Sequence, residues 1–286
     1  MQSITSVLLV TKSRHRFAEH TAAQIGQWLE SCGVSCPTLA ADCPQETLLE
    51  TAHTVQAAII LGGDGTFVGV ARKLTGLGIP LLGINFGQVG FLAEVSCDNW
   101  KPILRKLLAG ELTVHPRSVL IWSVIHEGKT IRKGHAANDI VVGRGAVARI
   151  LPIQVSVDGE DLGRVRSDGI IVSTPLGTSA YALSAHGALV HPEVQALALT
   201  PISPFFRSFP PMLLPRTSLV SLKTDSPDGF LTIDGQEGFP VAEGDIIRVR
   251  SMDAGLQLIA SGESSYYQRL CERGFINTRP LPVEKA

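Results

Sequence analysis

Asp64 stands among three glycines in "LGGDGT" (61–66), directly after the apolar run "VQAAIIL" (55–61). Glycines let a backbone approach a ligand, because no Cβ intervenes. A helix opening near Thr66, with Thr66 close to its N-cap, would offer unpaired N–H groups to an anion. The loop also follows a buried strand, the place where open α/β sheets bind ligands. Gly62, Gly63, Gly65 and Thr66 are therefore candidates to line a phosphate chain. Asp64 does not fit that role, since a carboxylate is repelled by phosphate unless a metal ion or an acid–base task explains it. As a general base it would take a proton from a hydroxyl attacking a phosphoryl group. No Gly-Lys-Ser/Thr follows, so this is not a Walker loop, and the Gly-x-Gly-x-x-Gly spacing is missing. A plain turn stabilised by Asp64 is the competing reading.

A second set of residues lies farther along. Asn138 and Asp139 precede the run "IVV". An Asn side chain can both donate to and accept from a base edge, and a carboxylate can accept two ribose hydroxyls. Arg166 and Asp168 are two apart, so on an extended chain they share a face. "STPLGTSAY" (173–181) is dense in hydroxyls and glycine and ends on Tyr181, suited to line a polar pocket and stack an aromatic ring. The plain alternatives are a turn at 138–139 and a Ser/Thr loop capping a helix.

The elements that must position these groups fall into two kinds. Up to about residue 111, buried apolar runs alternate with helical patterns: "SVLLV", "VQAAIIL" and "IPLLGIN" with helices between and after them. This predicts a parallel sheet covered on both faces. In the helix after "SVLLV", Phe17, Ile25, Trp28 and Leu29 share one face. From residue 112 short β-rich runs dominate, among them "RSVLIWSVI", "LPIQVSV", "DIIRVRS" and "GLQLIA", which predicts an all-β sandwich or barrel. Asp158-Gly159 marks a tight hairpin. The Pro-rich stretch 191–215 reads as a long ordered connection. "TSAYALSAHGALVHP" (178–192) reads as helix-capable. A last helix, "SSYYQRLCERG", carries Tyr267, Leu270 and Cys271 on one side and is expected to pack back on the first part.

Composition narrows the function classes. The chain has 286 residues, and 25 basic against 26 acidic side chains give a net charge of −1. That balance gives no reason to expect nucleic-acid or anionic-membrane partners. No apolar run reaches the ~18 residues of a spanning helix, and the N-terminus lacks a signal-peptide pattern, so a soluble cytoplasmic protein is expected. Five sparse cysteines make neither a disulfide framework nor a tight zinc motif. His186 and His191 flank the 173–184 loop and are read as structural.

In chain order, "GGDGT", "NFGQVGFLAE" (85–94), Asn138-Asp139 and "SDGIIVSTPLGTSAYALSAHGALVHP" (167–192) resemble the NAD kinases, over residues 55–275. "GGDGT" alone is shared with phosphofructokinases and with lipid kinases of the diacylglycerol and sphingosine type; the 167–192 segment is the specific part. The resemblance implies a Rossmann-like α/β N-terminal domain (1–111), an all-β C-terminal sandwich domain that binds NAD (112–261), and a C-terminal helix (262–286) packing back on the first. It implies ATP or polyphosphate as donor, a divalent cation such as magnesium, NAD as acceptor, NADP as product, and a homodimer or homotetramer. By the same resemblance Asp64 is the base acting on the adenosine ribose 2′-hydroxyl, with Gly65 beside the substrate. Asn138 and Asp139 hold adenine and ribose, and Arg149 and Arg166 are basic positions near NAD. Asp168 contacts the nicotinamide half or its ribose. Ser179, Ala180, Tyr181, Ala182, Leu183 and Ser184 grip the adenosine, and Gln236 lies near the nucleotide. No residue is assigned as a metal ligand.

Three positions depart from the family pattern. Asp139 stands where Glu is usual, Leu176 replaces a hydroxyl, and Pro210 takes the place of an Arg, with Arg207 close by. Two other readings remain open at this point: a lipid or sugar kinase of the same loop type, and a nucleotide-binding regulator without efficient transfer.

Overall fold

The computed structural model describes residues 4–87, 90–145, 151–205 and 209–276. The chain begins β1 (Val7–Thr11), α1 (Arg16–Ser31), β2 (Thr38–Ala40), α2 (Gln45–Ala52), β3 (Ala57–Leu61), α3 (Asp64–Lys73), β4 (Pro80–Asn85), β5 (Val95–Ser96) and α4 (Trp100–Leu108). Strands then follow one another: β6 (Thr113–His126), β7 (Lys129–Ala136), β8 (Asp139–Arg144), β9 (Leu151–Val157), β10 (Glu160–Ser167) and β11 (Gly169–Ser173). A 3₁₀ turn (Leu176–Ser179) and the one-turn helix α5 (Tyr181–Ser184) lead to β12 (Ala196–Ile202), β13 (Met212–Pro215) and β14 (Val220–Thr224). The remaining elements are β15 (Gly229–Ile233), β16 (Glu237–Val241), β17 (Ile246–Ala260) and α6 (Tyr266–Glu272).

The parallel sheet forms as β2-β1-β3-β4, every neighbour parallel. All five residues of β1 and of β3 are buried, because helices cover both faces. One apolar cluster lies on each side of this sheet, around Ile25 and Leu104 on one and Leu48 and Phe67 on the other. On α1, Ile25 and Leu29 are buried as expected, whereas Phe17 stays half exposed and packs edge-on against Phe86.

The sheet does not stop at the β-rich half. β17 joins β4 in parallel through Gln257 and Leu258, while its other end pairs with β14. The result is one mixed eleven-stranded sheet, facing a separate six-stranded antiparallel sheet of order β13-β12-β11-β8-β15-β16. The sandwich core between them gathers Trp122, Ile153, Ile170 and Leu231. "DIIRVRS" and "GLQLIA" are thus one strand, split in sequence by a register shift between Met252 and Leu256 where Ala254 takes a positive φ. The Asp158-Gly159 hairpin forms between β9 and β10, both residues at positive φ.

Two elements differ from the sequence expectation. The Pro-rich stretch holds β12 and β13 rather than a plain connection. β13 pairs β12 only from Ala196 to Leu199, so Pro201 falls where β12 has β11 as its sole partner. The helix expected over 178–192 shrinks to α5, which Gly187 ends by donating to the Ala182 carbonyl. On α6, Tyr266 and Leu270 face inward, while Tyr267 is exposed. Among the described residues no helix is long and apolar enough to cross a membrane.

Candidate functional site

Asp64 is the first residue of α3 and Gly63 is the N-cap. The carboxylate therefore sits at the positive end of the helix dipole, favourable by about 0.3–1 kcal/mol. Thr66 is inside the first turn rather than at the cap. It packs on Gly62, where a Cβ would come within 2.7 Å of its side chain. The glycines thus differ in purpose: Gly62 makes room for Thr66, Gly63 opens onto unfilled space, and the Gly65 carbonyl accepts a bond from Gln236 Nε2.

The loop after β4 closes on Asp64 from the other side. Phe91 N–H donates to Oδ2 at 2.8 Å, and Leu92 and Ala93 N–H both donate to Oδ1 at 3.1 Å. Arg273 Nη2 adds a contact to Oδ2 at 3.3 Å. Every one of these partners is a donor, so the group serves as an acceptor carboxylate. Gly90 permits the approach, since a Cβ there would lie 1.9 Å from Oδ1.

Across the cleft, one edge of the six-stranded sheet assembles the second set. Asp139 is paired with Ser173 and Ile140 with Ile233, so the start of β8 and the ends of β11 and β15 are neighbours. Asp234 ties them together. Its carboxylate accepts the N–H groups of Ala137, Asn138 and Asp139 at 2.7–3.1 Å. Asn138 Oδ1 is buried with no partner among the described residues, and Asn138 lines two adjoining cavities. Asp139 is buried, and its carboxyl is pushed up to about 7, by burial first and then by the charge of Asp234. Burial also raises Asp234, against the pull of its three N–H donors and Arg72.

The two sets meet in one cleft. A cavity of about 300 Å³ is lined by Asp64, Asn138, Leu176, Ser179 and Ala180 among others. It adjoins one of about 560 Å³ through Asn138 and Ala180, where Asp139, Asp168 and Tyr181 also face. A third, of about 510 Å³, takes in Gly65, Thr66 and Gln236 with Lys12 and Lys73.

Other expected site residues fall elsewhere. Arg149, like Arg207, is outside the described residues. Arg166 is exposed and lies over the Phe205 ring at 5.4 Å rather than facing these cavities. It does not share a strand face with Asp168, because the chain leaves β10 for the other sheet there. Ala182 is fully buried against Val141 and Ile171, so it packs rather than binds. Leu183 is half-buried and Ser184 exposed, neither among the residues lining these cavities. Pro210 is exposed and away from the cleft as well. Three loop hydroxyls, of Thr174, Thr178 and Ser179, are spent on backbone carbonyls. Thr174 Oγ1 donates to the Ala137 carbonyl at 2.9 Å, and Thr178 Oγ1 donates to Pro175 at 2.7 Å. His191 packs edge-on against Tyr266.

Sequence reasoning missed four contributors. Asp234 carried only a turn signal, Asp-Gly. Arg72, near the end of α3, is buried and bonds Glu237 at 2.6 Å, clamping α3 to the β15–β16 hairpin. Arg144 faces Asp168 at 3.5 Å. Arg273 lies 209 residues from Asp64 along the chain.

The ATP-NAD kinase N-terminal domain profile matches residues 37–112, and the C-terminal domain profile matches 137–261. The chain is similar to the NAD kinase of Lawsonia intracellularis, 44% identical with 97% of this chain and 98% of the relative covered. The NAD kinase of Nitratidesulfovibrio vulgaris (Miyazaki F) is 41% identical over 96% and 98%. Among solved structures, yeast NADH kinase complexed with NADH superposes with TM-score 0.87 over 100% of this chain and 91% of that one, at 24% identity. An NAD kinase from Archaeoglobus fulgidus in complex with ATP gives 0.75 over 90% and 94%, also at 24% identity.

Proposed function

The chain belongs to the NAD kinase family, and from that premise we propose that it moves the terminal phosphoryl group of ATP to the 2′-hydroxyl of the adenosine ribose of NAD, with Asp64 as base. The observation that carries the reading is the cleft itself. It brings Asp64 from the α/β half and Asn138 from the β half to the lining of one cavity. Phosphoryl transfer depends on positioning and charge more than on covalent help.

Each group then has a task. Asn138 and Asp139 hold adenine and ribose, with Ala180 and Tyr181 alongside, and Asp168 with Arg144 bounds the far end for the nicotinamide half. Gly63, Gly65 and Thr66 present the start of α3 to the donor phosphates, and Lys12 and Lys73 face the same space. Gln236 and Arg72 fix α3 against the β half. Among the described residues no three His, Cys, Asp or Glu side chains converge as a metal cage. A divalent cation such as magnesium, when bound with the donor, would supply charge neutralisation on the triphosphate.

Asp139 is a methylene shorter than the family Glu, yet it still lines the nucleotide cavity. Leu176 puts an apolar wall beside Asp64. A lipid or sugar kinase and a non-catalytic regulator are not favoured by the relatives. The reading carries with it NADP as product, a cytoplasmic location, and a homodimer or homotetramer, which light scattering would resolve. Purified protein with ATP, magnesium and NAD is expected to yield NADP in an assay coupled to an NADP-specific dehydrogenase. Asp64→Asn is expected to lose on the order of 10²–10⁴-fold in turnover. NAD bound without any NADP formed by the unaltered protein would overturn the reading.

A further inference from the structure

Asp64 has no acceptor capacity to spare. A carboxylate offers about four lone-pair sites, and Asp64 meets four donors, two on each oxygen. A hydroxyl can bond it only by replacing one of them. Three are backbone N–H groups of consecutive residues, held by a turn in which Gly90 N–H donates to the Ala93 carbonyl at 2.9 Å. The fourth, Arg273, has the longest contact, 3.3 Å, and is the only side chain in the set. Its side chain is 29% exposed and lines the same cavity as Asp64 and Asn138.

Arg273 is also carried by a separate anchor. It follows α6, which Ser265 and Gln268 cap reciprocally and which Arg269 fastens to Glu94 at 3.2 Å. The Tyr266 and Phe275 rings pack on Phe91, the residue whose N–H holds Asp64. A guanidinium on a long side chain, fixed at its base, can exchange partners without moving the helix.

Building on the reading above, we propose that Arg273 is a further catalytic residue: it holds on Asp64 the place that the acceptor hydroxyl takes, and its guanidinium then faces the phosphoryl group in transfer. The hydroxyl proton passes to Asp64 as the oxygen–phosphorus bond forms, and the bond from that phosphorus to the leaving ADP oxygen breaks. Arg273 supplies positive charge where a carboxylate and a phosphoryl group would otherwise repel each other. It thus answers, from the protein's own side chains, how Asp64 tolerates phosphate.

The test uses the full chain with ATP, magnesium and NAD. Arg273→Ala is expected to lower kcat by about 10²-fold, with KM for NAD within roughly threefold. Added guanidinium should restore part of that loss, and Arg273→Lys should fall between the two, because Lys keeps charge but not the fork. A kcat for Arg273→Ala within threefold of the unaltered protein, or above it, overturns the proposal. So does an equal loss in both variants without guanidinium rescue, which marks a merely structural role. If the unaltered protein makes no NADP, the broader reading fails instead, so the two failures are told apart.

Discussion

Asp64 and Asp139 are the same residue type placed in opposite surroundings. Asp64 opens a helix, meets three backbone N–H groups and faces an arginine. Asp139 is buried beside a second carboxylate, Asp234, with the Tyr181 N–H as its counterweight. In the first place both carboxylate oxygens meet donors; in the second, burial and a neighbouring carboxylate resist negative charge. The difference is one of place: Asp64 stands at the start of α3 with donors on both oxygens, and Asp139 lines the nucleotide cavity, where hydroxyl donors would favour its charged form.

The contrast breaks most sharply at Gly90. Gly90→Ala places a Cβ against Asp64 Oδ1 and must shift the carboxylate. A displacement of that order costs about 10²-fold in turnover, while the Asp139 side of the cleft is untouched, so calorimetric NAD affinity should stay within a few-fold. Next comes Asp234→Ala. It leaves three N–H groups without their carboxylate and the buried Arg72 with Glu237 alone, a loss on the order of 3 kcal/mol, read by denaturant unfolding.

Neither prediction rests on a residue to which the sequence assigned a role, and the reason is physical. Strands β1, β3 and β4 are legible because burial on both faces leaves nearly unbroken apolar runs. The "GGDGT" loop is legible because its composition is costly for a mere turn. Asn138 and Asp139 become meaningful only beside Asp64. What a linear reading cannot supply is long-range pairing. Asp234 acts on backbone N–H groups almost a hundred residues away, and Arg273 reaches Asp64 from the other end of the chain. The hydroxyl-rich loop misleads in the opposite sense: Thr174 and Thr178 bond backbone carbonyls, and of the loop Leu176, Ser179 and Ala180 reach the Asp64 cavity.

Acidity sharpens the comparison further. With the Asp139 carboxyl at about 7 in the folded protein against an ordinary value near 4, folding favours its neutral form. Its stabilising share is full below about pH 4 and is lost as pH rises through about 7. NAD affinity should move the other way. If ribose hydroxyls donate to the Asp139 carboxylate, binding tightens as pH climbs toward 7, by at most roughly tenfold per unit. Asp139→Asn should flatten that slope in calorimetric titrations from about pH 6 to about pH 8; an unchanged slope would remove Asp139 from the hydroxyl-holding role. The smallest effect belongs to Gln236→Ala, which removes one exposed bond to Gly65. Unfolding free energy should drop by about 0.5–1.5 kcal/mol, with turnover within a few-fold.

The most direct measurement places kcat and the NAD dissociation constant side by side for Asp64→Asn and Asn138→Ala. The account predicts a crossing: Asp64→Asn loses turnover while binding NAD nearly as before, and Asn138→Ala weakens NAD binding by at least about tenfold. If both variants instead lose the same quantity, the division of the cleft into a transfer carboxylate and a nucleotide-holding edge is contradicted.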